Sequence, residues 1–269
     1  MLIKRKSIEA EGNFRSGPQA ANNITRRKPK FAPVTLSELD GVRYLHFGTQ
    51  WIQGAMRLRK PDWPELEYAQ QMMSWMLFHS NPNNIVQLGL GTAALTKFCY
   101  RQFPTAKVTA VDINPAVIMI CESMFKLPPN DDRLQVIEMD AMDFVTDEEN
   151  HNSLTALQVD LYDATAKGPV LDSTEFYQAC ANCLKEDGVM TVNLFGDHPS
   201  FAKNMKVLKY VFGTVFCLPE VHDGNVVAIA FKHRLKLDFE ILYRRADEIF
   251  AQTKLPAKTW VDGLAKSKA

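Results

Sequence analysis

Residues 84–112 restrict what this chain can fold into more than any other stretch. An apolar run, Ile85 to Leu88, stops at Gly89-Leu90-Gly91, an apolar-periodic segment follows from about Ala93 to Phe103, and Lys107 to Val111 reads as a second β run that delivers Asp112. Strand, glycine turn, helix, strand, acid is the order of a nucleoside-binding half. Glycines lack a Cβ, so the backbone can turn sharply there and lie close to a ligand, and Ala94 is small where the helix must pack on the strand. Asp112 follows Gly91 by 21 residues, the interval at which a carboxylate on a strand end reaches ribose hydroxyls. An ordinary tight turn with an unrelated surface aspartate would have to produce both features by coincidence.

The chain around this stretch is long enough, at 269 residues and 46% hydrophobic, to bury a full α/β core and a small accessory unit. Its 31 basic and 31 acidic residues cancel, so no global field points to nucleic acid or an anionic membrane as a partner. Locally the balance differs: residues 1–30 carry eight Lys/Arg against Glu9 and Glu11, without a hydrophobic period, and read as a disordered basic tail. No apolar run has the length of a secretory signal or a bilayer span. Five cysteines without framework spacing suit free thiols in a reducing compartment, and a cytoplasmic protein is expected.

Between the tail and the glycine turn, residues 31–64 read as a small antiparallel β unit: Val34 to Leu39, an Asp40-Gly41 turn, Val42 to Phe47, then Trp51 to Leu58. A helix with a methionine-rich face is expected from Glu65 to about Phe78. After Asp112 the alternation continues, with Asn114 capping a helix that starts at Pro115, a strand from Arg133 to Met139, and a short acidic helix or turn to Asn150. A strand from about Ala156 to Leu161, a helix from Ser173 to Leu184, a strand from Val189 to Phe195 and a helix from Pro199 to Val211 follow. Alternation of this kind predicts a mostly parallel, doubly wound sheet with ligands at the carboxyl ends of its strands. Thr214 to Leu218 and Val226 to Phe231, joined through His222-Asp223-Gly224-Asn225, read instead as an antiparallel hairpin. That ending is unlike a dinucleotide-binding domain. It resembles the S-adenosylmethionine-dependent methyltransferase fold, a Rossmann-like α/β class, here spanning residues 65–234. Residues 235–269 then supply one closing amphipathic helix, to about Thr253, and a fraying lysine-rich end.

Acids recur where such a sheet gathers its strand ends: Asp112, Asp140, and Asp160 with Asp163. Any single one reads most simply as a turn or capping carboxylate; three successive strands ending in acid shift that balance. Two carboxylates three residues apart in a turn can converge on one cation. A polyamine is such a cation, since alkylammonium groups titrate near pH ~10, yet its attacking nitrogen must present a lone pair. A carboxylate pair can hold the charged amine and accept the proton as the C–N bond forms. With a sulfonium as electrophile, a neutral thioether leaves and needs no acid.

These residues carry a resemblance to the spermidine synthase (polyamine aminopropyltransferase) family over roughly residues 34–232. It rests on Gln53 in Trp-Ile-Gln, Glu67-Tyr68, the glycine turn, Asp112, Asp140-Ala141, Asp160-x-x-Asp163 with Gly168-Pro169, and Glu175-Phe176-Tyr177. The resemblance implies an aminopropyl transfer from decarboxylated S-adenosylmethionine, as co-substrate, to putrescine or a related polyamine. It implies Asp112 on the ribose, Asp140 with the Ala141 backbone at the adenine, and Gly89, Gly91, Thr92, Ile113 and Gln53 within the donor site. Asp160 is implied as the proton acceptor, with Asp163, Tyr68 and Gln53 around the amine. A homodimer follows from resemblance alone. Where the family carries Gly-Gly-Gly-Asp-Gly-Gly, this chain has the neutral Thr92 at the acid's position and Ala164 in place of a proline after the second acid.

Thr92 keeps a second enzyme reading open, methyl transfer from intact S-adenosylmethionine. The lost acid also motivates a catalytically silent nucleoside-binding or assembly protein, and a dinucleotide oxidoreductase comes last. Cys180-x-x-Cys183 inside a predicted helix reads as buried packing, and no metal-ligand spacing is present, so no metal is expected. Asp197 reads as a helix cap, with His198 as a candidate substrate contact.

Overall fold

A computed structural model of the chain describes residues 31–163, 168–221 and 224–266. The expected basic tail, Ala164 and the His222-Asp223 part of the expected turn lie outside the described residues.

Three strands, β1 (Val34–Leu39), β2 (Val42–Phe47) and β3 (Gly54–Arg57), form an antiparallel sheet in that order. Asp40 and Gly41 both take positive φ, 51° and 76°, the conformation a two-residue hairpin of right-handed twist requires. β3 is shorter than the expected Trp51–Leu58. Trp51 and Ile52 stay off the sheet, about half exposed. Arg43 of β2 donates to the Met124 carbonyl and so fastens this unit to the larger domain.

The methionine-rich helix is also divided, into α1 (Glu67–Gln71) and a 3-10 helix over Met72–Leu77. All six residues of the second piece are buried, so it has no solvent face of the kind an amphipathic α-helix keeps. The carbonyl of Met72 accepts from Gln158 and Thr191, which seats this piece on the sheet.

The main sheet holds β4 (Asn84–Leu88), β5 (Lys107–Asp112), β6 (Leu134–Glu138), β7 (Leu154–Val159), β8 (Leu184–Phe195), β9 (Thr214–Cys217) and β10 (Asn225–Phe231), ordered β6-β5-β4-β7-β8-β10-β9. Strands β4 to β8 are parallel, and β10 enters antiparallel between β8 and β9. The expected fold class is therefore observed. Period-two alternation divides the apolar residues between the two faces. Ile85, Val108 and Ala156 pack with α2 (Ala94–Gln102), α3 (Pro115–Met124) and the 3-10 helix, whereas Val86, Val111 and Leu157 pack with α4 (Ala141–Thr146), α5 (Thr174–Cys183) and α6 (Ser200–Val211). Asn114 caps α3 as expected, its side chain accepting from Ala116 N at 3.0 Å. Cys180 and Cys183 are buried in α5, and Cys183 donates to the Val145 carbonyl.

The carboxyl end differs from expectation. After α7 (Phe239–Thr253) comes a further helix, α8 (Ala257–Lys266), in place of a fraying end. Lysines hide its period: Ala257, Trp260, Val261 and Leu264 recur at helical spacing and are buried against the 3-10 helix side of the sheet. Among the described residues no helix is long and apolar enough to cross a membrane.

Candidate active site

The carboxyl ends of β4, β5, β6 and β7 meet around one cavity of about 740 Å³, closed on one side by the N-terminal sheet. The parallel register brings this about: Gly89 N donates to Val111 O at 2.8 Å, Asp160 N to Leu88 O at 2.9 Å, and Met139 N to Asp112 O at 3.1 Å. Each strand thus hands its last residues to the same rim. Gln53, Tyr68, Gly89, Gly91, Asp112, Ile113, Asp140, Ala141, Asp160 and Asp163 all line the cavity.

Thr92 does not. It is 3% exposed, and its hydroxyl donates to the Ala55 carbonyl at 3.3 Å, away from the lining. Its side chain is turned into the protein, behind the turn. Gly54 makes room for it: a Cβ there would stand 2.7 Å from the Thr92 methyl. His198 is turned aside as well, its Nδ1 bonded to Ser200 at 2.6 Å, and α6 starts without a side-chain cap from Asp197.

The glycine turn is braced from below. Gln87, buried in β4, donates to the carbonyls of Gly89 (2.5 Å) and Leu90 (3.4 Å) while accepting from Thr96, and Cys121 donates to the Gly91 carbonyl at 3.1 Å. Asp112 is fixed by two amides, Oδ2 accepting from Leu90 N and Oδ1 from Asn114 N, each at 2.8 Å. Burial raises its pKa above the ordinary carboxylate value, and these two bonds oppose the shift. Asp140 caps α4, accepting from Met142 N at 2.7 Å. Ile113, Met139, Leu161, Val170 and Leu171 supply apolar walls near these carboxylates.

At the other end Asp160 sits between two donors: Asn193 Nδ2 at 2.9 Å from Oδ1 and the Tyr68 hydroxyl at 3.3 Å from Oδ2. Burial pushes its pKa up to about 6, and the two hydrogen bonds hold it back from going further. The group is ionised at neutral pH yet more basic than an ordinary aspartate, which suits a proton acceptor. Gln53 Nε2 donates to the Asp163 carbonyl at 3.2 Å, joining the N-terminal unit to the loop after β7. Asn193 and Asn225 escaped the sequence reading. The available signal was a single amide inside the apolar run Val189 to Phe195, a position where a buried polar group needs a partner. The described lining contains four carboxylates and no lysine, arginine or histidine, and no cluster of metal-ligating side chains occurs among the described residues.

Comparison with known proteins gives the same picture. A family model described as the spermine/spermidine synthase domain matches residues 67–236. A polyamine aminopropyltransferase of Chromobacterium violaceum is 32% identical over 236 residues, covering 87% of this chain and 90% of the relative. Its namesake from Neisseria meningitidis serogroup A is 33% identical over 225 residues, covering 82% and 85%. Among solved structures, a probable spermidine synthase from Corynebacterium glutamicum superposes with a TM-score of 0.68 over 86% of this chain and 91% of that one, at 15% identity, a likeness of fold. The family match covers the strands of the main sheet, the glycine turn and every acid that meets at the cavity, and on that ground the chain belongs to the spermine/spermidine synthase family.

Proposed function

We propose that this protein is a polyamine aminopropyltransferase that moves an aminopropyl group from decarboxylated S-adenosylmethionine to putrescine or a related amine, releasing methylthioadenosine. The observation that carries this reading is the placement of Asp160, a buried carboxylate of raised basicity, in the same cavity as the Asp112 and Asp140 strand ends. The nucleoside lies along Gly89 and Gly91, with its ribose on Asp112 and its adenine between Ile113 and the Asp140-Ala141 end. The amine enters between Tyr68, Gln53 and Asp163. As its nitrogen lone pair attacks the carbon next to sulfur, the C–N bond forms, the C–S bond breaks, and the excess proton passes to Asp160. The thioether leaves neutral, so the protein's work is orientation and proton removal.

The charge of the lining supports the decarboxylated donor. Intact S-adenosylmethionine would bring a carboxylate into a described wall of four carboxylates without a basic side chain. Thr92 motivates methyl transfer in the sequence, but its hydroxyl faces Ala55 and does not choose between donors. Five unpaired thiols support a cytoplasmic setting, and a homodimer is carried over from the family resemblance.

The test is mass spectrometry of the nucleoside product after incubation with both donors and a mixture of putrescine, spermidine and cadaverine. Methylthioadenosine with an amine enlarged by one aminopropyl unit is expected. S-adenosylhomocysteine would replace this reading with methyl transfer, and no product from any pairing would overturn it in favour of a binding role.

A further inference from the structure

The antiparallel strand brings to the rim of the site a residue that a parallel one would carry away from it. β10 runs against β8 and therefore starts where β8 ends: Asn225 lies opposite Phe195, and Val227 opposite Asn193. Asn225 Nδ2 donates to Asn193 Oδ1 at 2.9 Å, and Asn193 Nδ2 donates in turn to Asp160 Oδ1 at 2.9 Å. The two asparagines are 9% and 2% exposed, so water does not substitute freely for these partners. The Tyr162 hydroxyl holds the same spot from the other side, donating to the Asn193 main-chain carbonyl at 3.3 Å.

A primary amide presents a donor at one end and an acceptor at the other, and a half-turn exchanges them with almost no change of shape. Packing therefore does not decide which end of Asn193 faces Asp160; the ionised carboxylate and the group at the far end decide it together, and Asn225, itself a primary amide, is oriented by its own hydrogen bond to the Tyr162 side chain. We propose that Asn225 is a positioning residue for Asp160: by donating to Asn193 Oδ1 it locks the Asn193 amide with its NH2 on the carboxylate, so Oδ1 is kept as an acceptor and Oδ2, on the Tyr68 side, receives the proton, leaving a neutral acid. The inference rests on the reading of Asp160 as proton acceptor. The titratable groups that share the cavity are Tyr68 from α1, Tyr162 and Asp163 from Asp160's own loop, and Asp112 and Asp140 at the ends of β5 and β6. β8 and β10 contribute only neutral side chains to it, Asn193, Phe195 and Asn225.

Without the Asn225 donor, Asn193 is free to turn its carbonyl toward Asp160, an arrangement that favours the protonated acid. Two readouts test this in the full chain: the midpoint of Asp160, followed by carboxyl carbon NMR as the signal missing from Asp160→Asn, and the acid limb of kcat/KM against pH. In Asn225→Leu both are expected to move up together by about one unit, with activity recovering toward the parent at pH ~9; Asn225→Ala serves where leucine is not accommodated. Asn193→Leu moves them at least as far, and adding Asn225→Leu to it moves them no further, since the relay is already cut. An unmoved midpoint, a loss of activity equal at every pH, or additive shifts would each overturn the proposal. Full turnover in Asp160→Asn alongside a moved midpoint would refute the proton-acceptor reading and leave the relay standing; an inert Asp160→Asn with an unmoved midpoint would do the reverse.

Discussion

The main-chain carbonyl oxygen of Asp160 stands 2.1 Å from where a Cβ on Gly89 would begin. The first glycine of the turn and the proposed proton acceptor are thus in direct apposition, and φ of +88° at Gly89 belongs to glycine alone. Gly89→Ala is expected to destabilise the chain by more than about 2 kcal/mol and to abolish donor binding, because the backbone of Asp160 must shift. Gly91 is the control: φ is +54° and the nearest atom to an added Cβ is the Gln53 carbonyl at 3.5 Å. Gly91→Ala should cost only about 1–2 kcal/mol and keep measurable binding. Urea unfolding and donor titration check both.

Gln53 ties the N-terminal sheet to the loop that carries Asp163. Gln53→Ala removes one hydrogen bond that orders the amine entrance, so KM for the amine should rise roughly five- to tenfold with kcat within about twofold. Steady-state kinetics at saturating donor measures the split; a fall in kcat with unchanged KM would contradict it.

Lys97 is fully buried beside the turn, its Nζ donating to the Phe125 carbonyl at 2.6 Å and to Met56 Sδ at 3.3 Å. Burial lowers its pKa from 10.5 to about 8. Below that value folded and unfolded chains both carry the proton. Between about 8 and 10.5 only the unfolded chain does, so stability rises with pH across this window, by up to roughly 3 kcal/mol. Lys97→Met should erase that rise, seen as a gap between parent and variant unfolding free energies that changes from pH 7.5 to 10. Parallel curves would contradict it.

Asp160 carries the opposite sign. Its folded pKa of about 6 lies above the ordinary carboxyl value of 3.8, so from pH 3.8 to 6 the folded chain keeps a proton that the unfolded chain has lost. Stability falls as pH rises through that window and stays reduced above it. Asp160→Asn should therefore gain on the parent between pH 4 and 7 by about 1–3 kcal/mol, a difference from which the pH-independent cost of placing an amide beside the Asn193 donor cancels. Unfolding at the two pH values measures the gain; a variant equally destabilised at both would contradict it.

The sequence revealed the sheet because its strands are short apolar runs that each end in a turn or an acid, and β1, β2, the Asp40-Gly41 turn and the Asn114 cap are local signals that tertiary contacts do not override. It hid what depends on packing. Met72–Leu77 looks amphipathic until every face is buried, and the period of α8 is masked by lysines on its exposed side. In the site, residues with a charge or a glycine were legible by spacing. Asn193 and Asn225 were not, because they lie 32 positions apart and meet only through the antiparallel pairing of β8 and β10. Thr92 shows the converse: its position in the turn suggests a ligand contact, yet the close approach of Gly54 draws the side chain into the protein.

If Asp160 takes the proton of the attacking amine, the turnover of Asp160→Asn, followed as methylthioadenosine formed, must collapse while donor binding survives. Methylthioadenosine formation should fall by at least about a thousandfold, within the range of losing a positioned base, while calorimetric affinity for the decarboxylated donor stays within about threefold. Turnover equal to that of the parent would contradict the assignment.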